Sequence, residues 1–396
     1  MNQRAGIYIH IPFCARKCTY CAFNTTDYFE DLAARYVAAV RREIWYWGER
    51  LAQNQASRVA VDTIYFGGGT PSIVEAEQLA QLVAACRDSF DVAADAEVTI
   101  EINPSTFTRD KISGWLAGGI NRASVGVQSF IDEELAALSR THTATDARRT
   151  LAALREAGFE NISLDLIAGL PGQSLADWRF NLEEALRLGP EHLSLYLLEV
   201  KEGTQLFAQL KRGQRPQPDD DTAAEMYRVI CAATARAGFE QYEISNFARL
   251  EPEPWPRLGN APSRFRSRHN MKYWTGAAYY GVGCGAHSYD TRSRWVNRLK
   301  TDSYIAAVNE RGEAIAERHE LSDEDRAAEA LFMQLRLSEG VGLADFRDEY
   351  GVDVLARYAD ELPRLCEADL IQITDERIML TDKGRLLSNE VFVLLI

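Results

Sequence analysis

Short apolar runs rich in β-branched and aromatic residues alternate with longer amphipathic segments from the start of the chain to about Asn246. The short runs fall at residues 7–11, 61–66, 97–102, 122–127, 162–167, 193–198 and 239–244, and the pattern predicts strands there. Residues 28–50, 75–88, 109–116, 146–157, 175–188 and 222–237 carry apolar positions at the 3.6-residue period of helices buried on one side. Gly158-Phe159 and Gly238-Phe239 each put a glycine where a helix must end before the next strand. Strand–helix alternation in one direction gives a parallel sheet with right-handed crossovers. About six such units predict a partial or complete barrel.

The alternation stops near Asn246. A Pro-rich, polar stretch at 250–265 predicts a loop, and a Gly-rich, aromatic segment follows at 273–289. Beyond Leu321 come two or three helices, then two short strands around Asp375-Glu376, resembling the end of a winged helix. The expected organisation is a barrel over 1–245, a connecting segment over 246–320 and a smaller winged-helix-like α+β domain over 321–396. That last module holds 8 Lys and Arg against 17 Asp and Glu, a balance of −9. A nucleic-acid duplex would be repelled, so packing or partner docking is its expected role.

Composition narrows the class. A chain of 396 residues, 46% apolar, can bury a large core and suggests two domains. Its formal charge of −14 argues against a nucleic-acid grip, which needs clustered Lys and Arg. No apolar run approaches the roughly 20 residues of a membrane span. Met1-Asn-Gln-Arg leads into the first strand rather than a signal peptide, so the expected location is the reducing cytoplasm.

Chemistry enters at Cys14-Ala-Arg-Lys-Cys18-Thr-Tyr-Cys21, directly after the first strand. Three thiolates are one short of a closed zinc site, whereas a four-iron cluster on three cysteines leaves one iron open to a substrate or cofactor. A disulfide framework is disfavoured, because the total of 7 cysteines is odd and the others are scattered. A zinc knuckle would want a fourth ligand nearby, and His10 lies before the motif, on the strand. Cys86, Cys231, Cys284 and Cys366 have no partner at ligand spacing and read as small hydrophobes.

Barrels place their active groups at the C-terminal ends of strands, and the unusual polar residues fall there. The second strand ends in Gly67-Gly68-Gly69-Thr70-Pro71, whose glycines let the backbone approach a ligand. Glu101 closes the third strand in Glu101-Ile-Asn-Pro104, Gln128 follows the fourth in Val125-Gly-Val-Gln-Ser129, and Asp165 sits inside Ser163-Leu-Asp-Leu-Ile167. Each alone is as well explained by structure; their joint placement at one mouth predicts a ligand site.

These blocks, with Tyr8-Ile-His-Ile-Pro-Phe-Cys14, Val-Gln-Ser-Phe130, Ile167-Ala-Gly-Leu-Pro-Gly172 and Tyr242-Glu-Ile-Ser-Asn-Phe247, give the chain a resemblance over nearly its whole length. It resembles the radical S-adenosylmethionine family that contains the oxygen-independent coproporphyrinogen III oxidase and the heme chaperone HemW. The resemblance implies a radical SAM partial (β/α)6-type, TIM-like barrel. It also implies a [4Fe-4S] cluster on Cys14, Cys18 and Cys21, whose free iron holds the amino and carboxylate groups of S-adenosylmethionine. Tyr8, Gly68, Gly69, Thr70, Glu101, Gln128, Arg140 and Asp165 would surround that cofactor. Glu101 can accept from its ammonium, Arg140 can pair with its carboxylate, and Asp165 or Gln128 can bond ribose hydroxyls.

Three details favour the chaperone branch. The oxidase carries another cysteine two positions after the motif, where this chain has Phe23, and it has an N-terminal extension, where seven residues precede Tyr8. The third is Ser267-Arg-His269-Asn270-Met-Lys-Tyr273-Trp274, which resembles the motif whose histidine is implicated in heme ligation. Imidazole is a natural axial ligand, and Tyr273 and Trp274 could face a porphyrin. Without the resemblance, His269 reads as a capping or surface histidine beside a packed aromatic cluster, and His287 is left as structural. The branch implies heme as cargo, heme-accepting proteins such as membrane respiratory enzymes as partners, a homodimer, and peripheral membrane contact. The rivals are coproporphyrinogen III dehydrogenase and another radical reaction on a tetrapyrrole.

Overall fold

The computed structural model describes residues 4–55, 57–251 and 262–395. Six strands, β1 (Ala5–Ile11), β2 (Ala60–Gly68), β3 (Asp91–Ile102), β4 (Arg122–Gln128), β5 (Ile162–Ala168) and β6 (His192–Leu197), lie side by side in sequence order, all parallel. Helices Glu30–Gln55, Ala76–Ser89, Arg109–Ala117 and Ala144–Ala157 pack each on the next, as right-handed crossovers on one face require. The helix expected over 146–157 begins earlier, at Ala144, because Thr143 caps it in a capping box with Asp146; Ser174 and Asp177 open Leu175–Arg187 in the same way. Gly158 ends its helix at φ +104°, the left-handed conformation a glycine C-cap supplies.

Alternation along the parallel strands decides what this fold can do. Ile7, Ile9, Ile64, Phe66, Val98, Ile100, Ala123, Val125, Ile162, Leu164, Leu193 and Leu195 point outward into the main core beneath the helices. Their alternate neighbours are polar: Thr63 and Tyr65, Glu97, Thr99 and Glu101, Arg122 and Ser124, Ser163 and Asp165, His192 and Ser194. Parallel strands are usually apolar on both faces, and a filled barrel packs aliphatic layers. Here the inner face is a polar lumen.

Beyond β6 the outcome differs from the sequence pattern. The strand expected over 239–244 stops at Gln241, and Asn246–Arg249 returns antiparallel between it and β6. Too few residues separate the two for a parallel crossover, so only a tight reversal is possible. The stretch 246–320, expected as a connection, supplies strands on both sides of the parallel six. Tyr279–Val282 lies parallel to β1, followed by antiparallel His287–Tyr289, Ser293–Asn297 and Ile315–Glu320. Within the Pro-rich stretch, residues 252–261 lie outside the described residues. The C-terminal part has its own apolar core around Leu331, Phe346, Ile378 and Phe392, with helix Asp323–Leu335 against a three-stranded sheet of Val341–Gly342, Arg377–Leu380 and Ile371–Ile373. Asp375-Glu376 forms the turn between its last two strands, as the sequence predicts. Among the described residues no helix is long and apolar enough to cross a membrane.

Glu43, fully buried on the long helix Glu30–Gln55, ties the start of the chain to the late strands. Its carboxylate accepts from the Gly283 N–H (2.8 Å), the Tyr304 hydroxyl (2.6 Å) and Asn297 Nδ2 (2.8 Å). Replacing Glu43 with Ala strands three buried donors and should cost about 3 kcal/mol in urea unfolding. Burial pushes the Glu43 carboxyl up to about 7, despite those hydrogen bonds. A raised carboxyl pKa favours the folded state below the unfolded value, and this contribution fades as pH rises through 7. Urea midpoints compared between pH 5 and pH 8 should therefore fall more in wild type than in Glu43→Gln; equal falls would contradict the assignment.

Candidate functional site

The three cysteines form a loop over the C-terminal ends of the parallel strands, held by backbone bonds. Gly69 N–H donates to the Ile11 carbonyl and Thr70 N–H to the Phe13 carbonyl, both at 2.8 Å, so the glycine turn after β2 seats the cysteine loop. A Cβ on Gly68 (φ +117°) would lie 2.5 Å from the His10 ring, and one on Gly69 would lie 2.7 Å from the Pro12 backbone. These glycines therefore make room for the cysteine loop itself, a more local demand than backbone approach to a ligand. On the far side, Thr19 N–H donates to the Leu138 carbonyl at 3.1 Å.

Cys14, Cys18 and Cys21 are all partly exposed and free of disulfides. Cys14 Sγ is 3.4 Å from the Thr70 hydroxyl, and Arg140 Nη1 is 3.6 Å from Cys18 Sγ. Among the described residues no three side chains converge as ligands of a single metal ion. Three soft thiols with no fourth, beside a guanidinium that offsets thiolate charge, suit an iron–sulfur cluster, whose several irons keep their ligands farther apart than one ion does. Burial holds the Cys14 and Cys21 thiols above the ordinary range, so a bound metal must displace their protons.

The remaining sequence-predicted residues line the same mouth. Arg140 Nη2 donates to the Gly126 carbonyl at 2.6 Å. Gln128 ends β4 at φ +66°, a strained conformation for this residue type, where its register with β5 is irregular. Asp165 accepts from Ser124 (3.0 Å) and Ser163 (3.3 Å). Glu101 accepts from the Tyr65 hydroxyl (2.9 Å) and the Gly68 N–H (3.1 Å), and burial raises its carboxyl to about 7, with Asp165 adding to the rise. Tyr8 donates to His10 Nδ1 at 3.1 Å, and His10 Nε2 bonds the Asn24 carbonyl at 3.0 Å.

His269 lies elsewhere. Helix Arg268–Trp274, capped by Ser267, crosses the opposite end of the lumen, and its first two amides donate to the Glu97 carboxylate at 3.1 Å each. His269 is 1% exposed, its ring stacked 5.1 Å from Tyr65, with Nδ1 bonded to Thr63 (2.9 Å) and Nε2 to Tyr273 (3.0 Å). Burial, then Lys272, lowers its pKa to about 3 and keeps the imidazole neutral. Both nitrogens are engaged, so the ring meets a heme iron only if this helix releases it. Tyr273 makes a T-shaped contact with Tyr279 at 4.7 Å, and the Arg336 guanidinium lies over one face of Trp274.

Sequence reasoning missed Tyr65, Arg122, Ser124, Ser163 and His192. Tyr65 joins the two ends of the lumen, with its hydroxyl on Glu101 and its ring on His269. His192 bonds Ser163 and Tyr242, each at 2.8 Å. The available signal was a polar residue at every second position of strands that otherwise read as apolar runs.

A model of the Radical SAM superfamily matches residues 8–185, and a model of the HemN C-terminal domain matches residues 321–387. The heme chaperone HemW of Bacillus subtilis (strain 168) is 35% identical over 386 residues, 97% of each chain. HemW of Mycobacterium tuberculosis is 34% identical over 396 residues, covering 98% of this chain and 94% of its own. The mitochondrial radical S-adenosyl methionine domain-containing protein 1 of Bos taurus is 36% identical over 354 residues, 86% of this chain and 75% of the relative. Among solved structures, coproporphyrinogen III oxidase (HemN) from Escherichia coli aligns with TM-score 0.82 at 24% identity, covering 100% of this chain and 90% of that one, which speaks for the fold. With a cysteine loop at the mouth of a parallel, polar-lined partial barrel and this kinship along nearly its whole length, the chain belongs to the HemW family of the radical SAM superfamily.

Proposed function

We propose that this protein is a heme chaperone: it binds heme and passes it to acceptor proteins, on a radical SAM scaffold with a [4Fe-4S] cluster and S-adenosylmethionine. The observation that carries the reading is near-full-length similarity to relatives that are themselves heme chaperones. In support, Phe23, 67% exposed, occupies the position two residues after Cys21 where the oxidase branch has a further cysteine. Cys14, Cys18 and Cys21 would hold the cluster, which supplies a one-electron reductant with one iron free to chelate the cofactor.

The chain's own part is binding and positioning. Arg140, fixed between the Gly126 carbonyl and Cys18, presents a guanidinium to a carboxylate at the mouth. Glu101 faces an ammonium only when ionised. Because burial sets its carboxyl at about 7, affinity for S-adenosylmethionine should rise several-fold from about pH 5.5 to pH 7 in wild type, a range in which the cofactor's own ammonium stays charged. In Glu101→Gln it should be weak and flat with pH; equilibrium dialysis with labelled cofactor reads both, and a wild-type affinity independent of pH would contradict this role.

Heme is assigned to His269, which must first leave Thr63 and Tyr273. Its low pKa means that no proton competes with iron at physiological pH. Acceptors of the membrane respiratory class, a homodimer, peripheral membrane contact and work in the cytoplasm complete the proposal. The competing reading, oxidative decarboxylation of coproporphyrinogen III, would use the same mouth residues. Anaerobic optical titration of cluster-reconstituted protein should give a saturable one-to-one Soret shift. His269→Ala should abolish or alter it, while Tyr273→Phe, which removes one restraint on the ring, should speed heme uptake. No specific heme binding, together with turnover of coproporphyrinogen III and consumption of S-adenosylmethionine, would replace the chaperone by the dehydrogenase.

A further inference from the structure

Arg122 is the anomaly of the lumen. Its side chain is 2% exposed at the start of β4, yet among the described residues it makes no hydrogen bond and no ion pair, and Nε is buried without a partner. Thr99, directly opposite on β3, is fully buried, and its hydroxyl likewise has no partner. A guanidinium cannot shed its charge at any physiological pH, so an unpaired one is an unfavourable thing to bury.

Among the described residues none of the surrounding groups hydrogen-bonds to it. Glu97 is taken by the amides of Arg268 and His269, Glu101 by Tyr65 and Gly68, Asp165 by Ser124 and Ser163, and His192 by Ser163 and Tyr242. Arg122 acts on these groups by charge alone: burial raises the Asp165 carboxyl pKa and lowers that of His192, and the Arg122 charge opposes the first shift and adds to the second. Strand register puts the Thr99–Arg122 pair one step deeper than Glu101–Ser124, roughly 7 Å below the mouth.

We propose that Arg122 and Thr99 form a carboxylate-binding site inside the barrel lumen, beneath the cluster-bearing mouth. A planar carboxylate matches the fork of a guanidinium and can accept from the Thr99 hydroxyl as well. Glu97, Glu101 and Asp165 surround the site, so a singly charged anion is favoured over a phosphate dianion. The ligand that carries this chemistry at this depth is a propionate arm of a tetrapyrrole, because the carboxylate of S-adenosylmethionine belongs to the open iron and Arg140 at the mouth. This ligand rests on the heme-chaperone reading.

The test uses full-length, cluster-reconstituted protein and Arg122→Gln, under anaerobic conditions. Affinities are measured for heme, for heme dimethyl ester and for S-adenosylmethionine. If the ligand is a propionate, wild type binds heme at least tenfold tighter than the ester, and Arg122→Gln erases that preference. An Arg122→Gln protein that keeps the preference overturns the site, and so does wild type that binds heme and its ester equally well while the chaperone reading stands. S-adenosylmethionine affinity should be unchanged in Arg122→Gln, which shows that the mouth is intact; a loss there with the heme-to-ester ratio kept would assign Arg122 to the cofactor and overturn the site. Wild type that binds neither form of heme would fail the chaperone reading and the site with it.

Discussion

A polar face buried inside a parallel barrel is the constraint on which this structure depends. Outward-pointing residues of β1 to β6 build an aliphatic core under the helices, which leaves the inner face free to carry chemistry. Buried polar groups must be paired or meet a ligand, so the lumen has to be networked along its length. Most of it is. Ser124, Ser163 and Asp165 satisfy one another, His192 bridges Ser163 and Tyr242, and Glu97 anchors the helix that closes the far end. Arg122 and Thr99 stand outside this network, which makes them the place where a ligand is needed most.

The lumen also brings two distant parts of the sequence into contact. Glu101, at the mouth, and His269, on the closing helix, share Tyr65 as a common neighbour, one through its hydroxyl and one through its ring. A ligand that changes the charge or position of Glu101 therefore acts one side chain away from the imidazole. Conversely, release of His269 removes a stacking partner of Tyr65. This arrangement fits a carrier, in which loading at the mouth and exposure of a metal ligand at the other end should not be independent events.

Much of the architecture was legible because it rests on local pattern. The parallel strands, the helices between them and the cysteine loop follow from periodicity and spacing, and Gly158 caps its helix as its position suggests. The antiparallel strands that flank the parallel six were not legible. Asn246–Arg249, His287–Tyr289 and Ser293–Asn297 are three to five residues long and interrupted by turns, too short for periodicity to separate strand from loop. Nor could spacing say which way a motif faces. Ser267 to Trp274 reads in sequence as a segment with a surface or capping histidine, or by resemblance a heme-ligating one, whereas the Glu97 carboxylate draws its helix against the barrel and the imidazole goes inside. Nothing in the sequence marks Arg122 beyond its place as the first residue of a strand.

In the proposed function the imidazole of His269, held inside the lumen, becomes a heme ligand only when its helix lets go. Hydrogen–deuterium exchange of helix Arg268–Trp274, with and without bound heme, tests this most directly. The amides of Arg268 and His269, protected by Glu97 in the closed state, should exchange at least tenfold faster once heme is bound. Heme binding that depends on His269 while these amides stay equally protected would contradict the account.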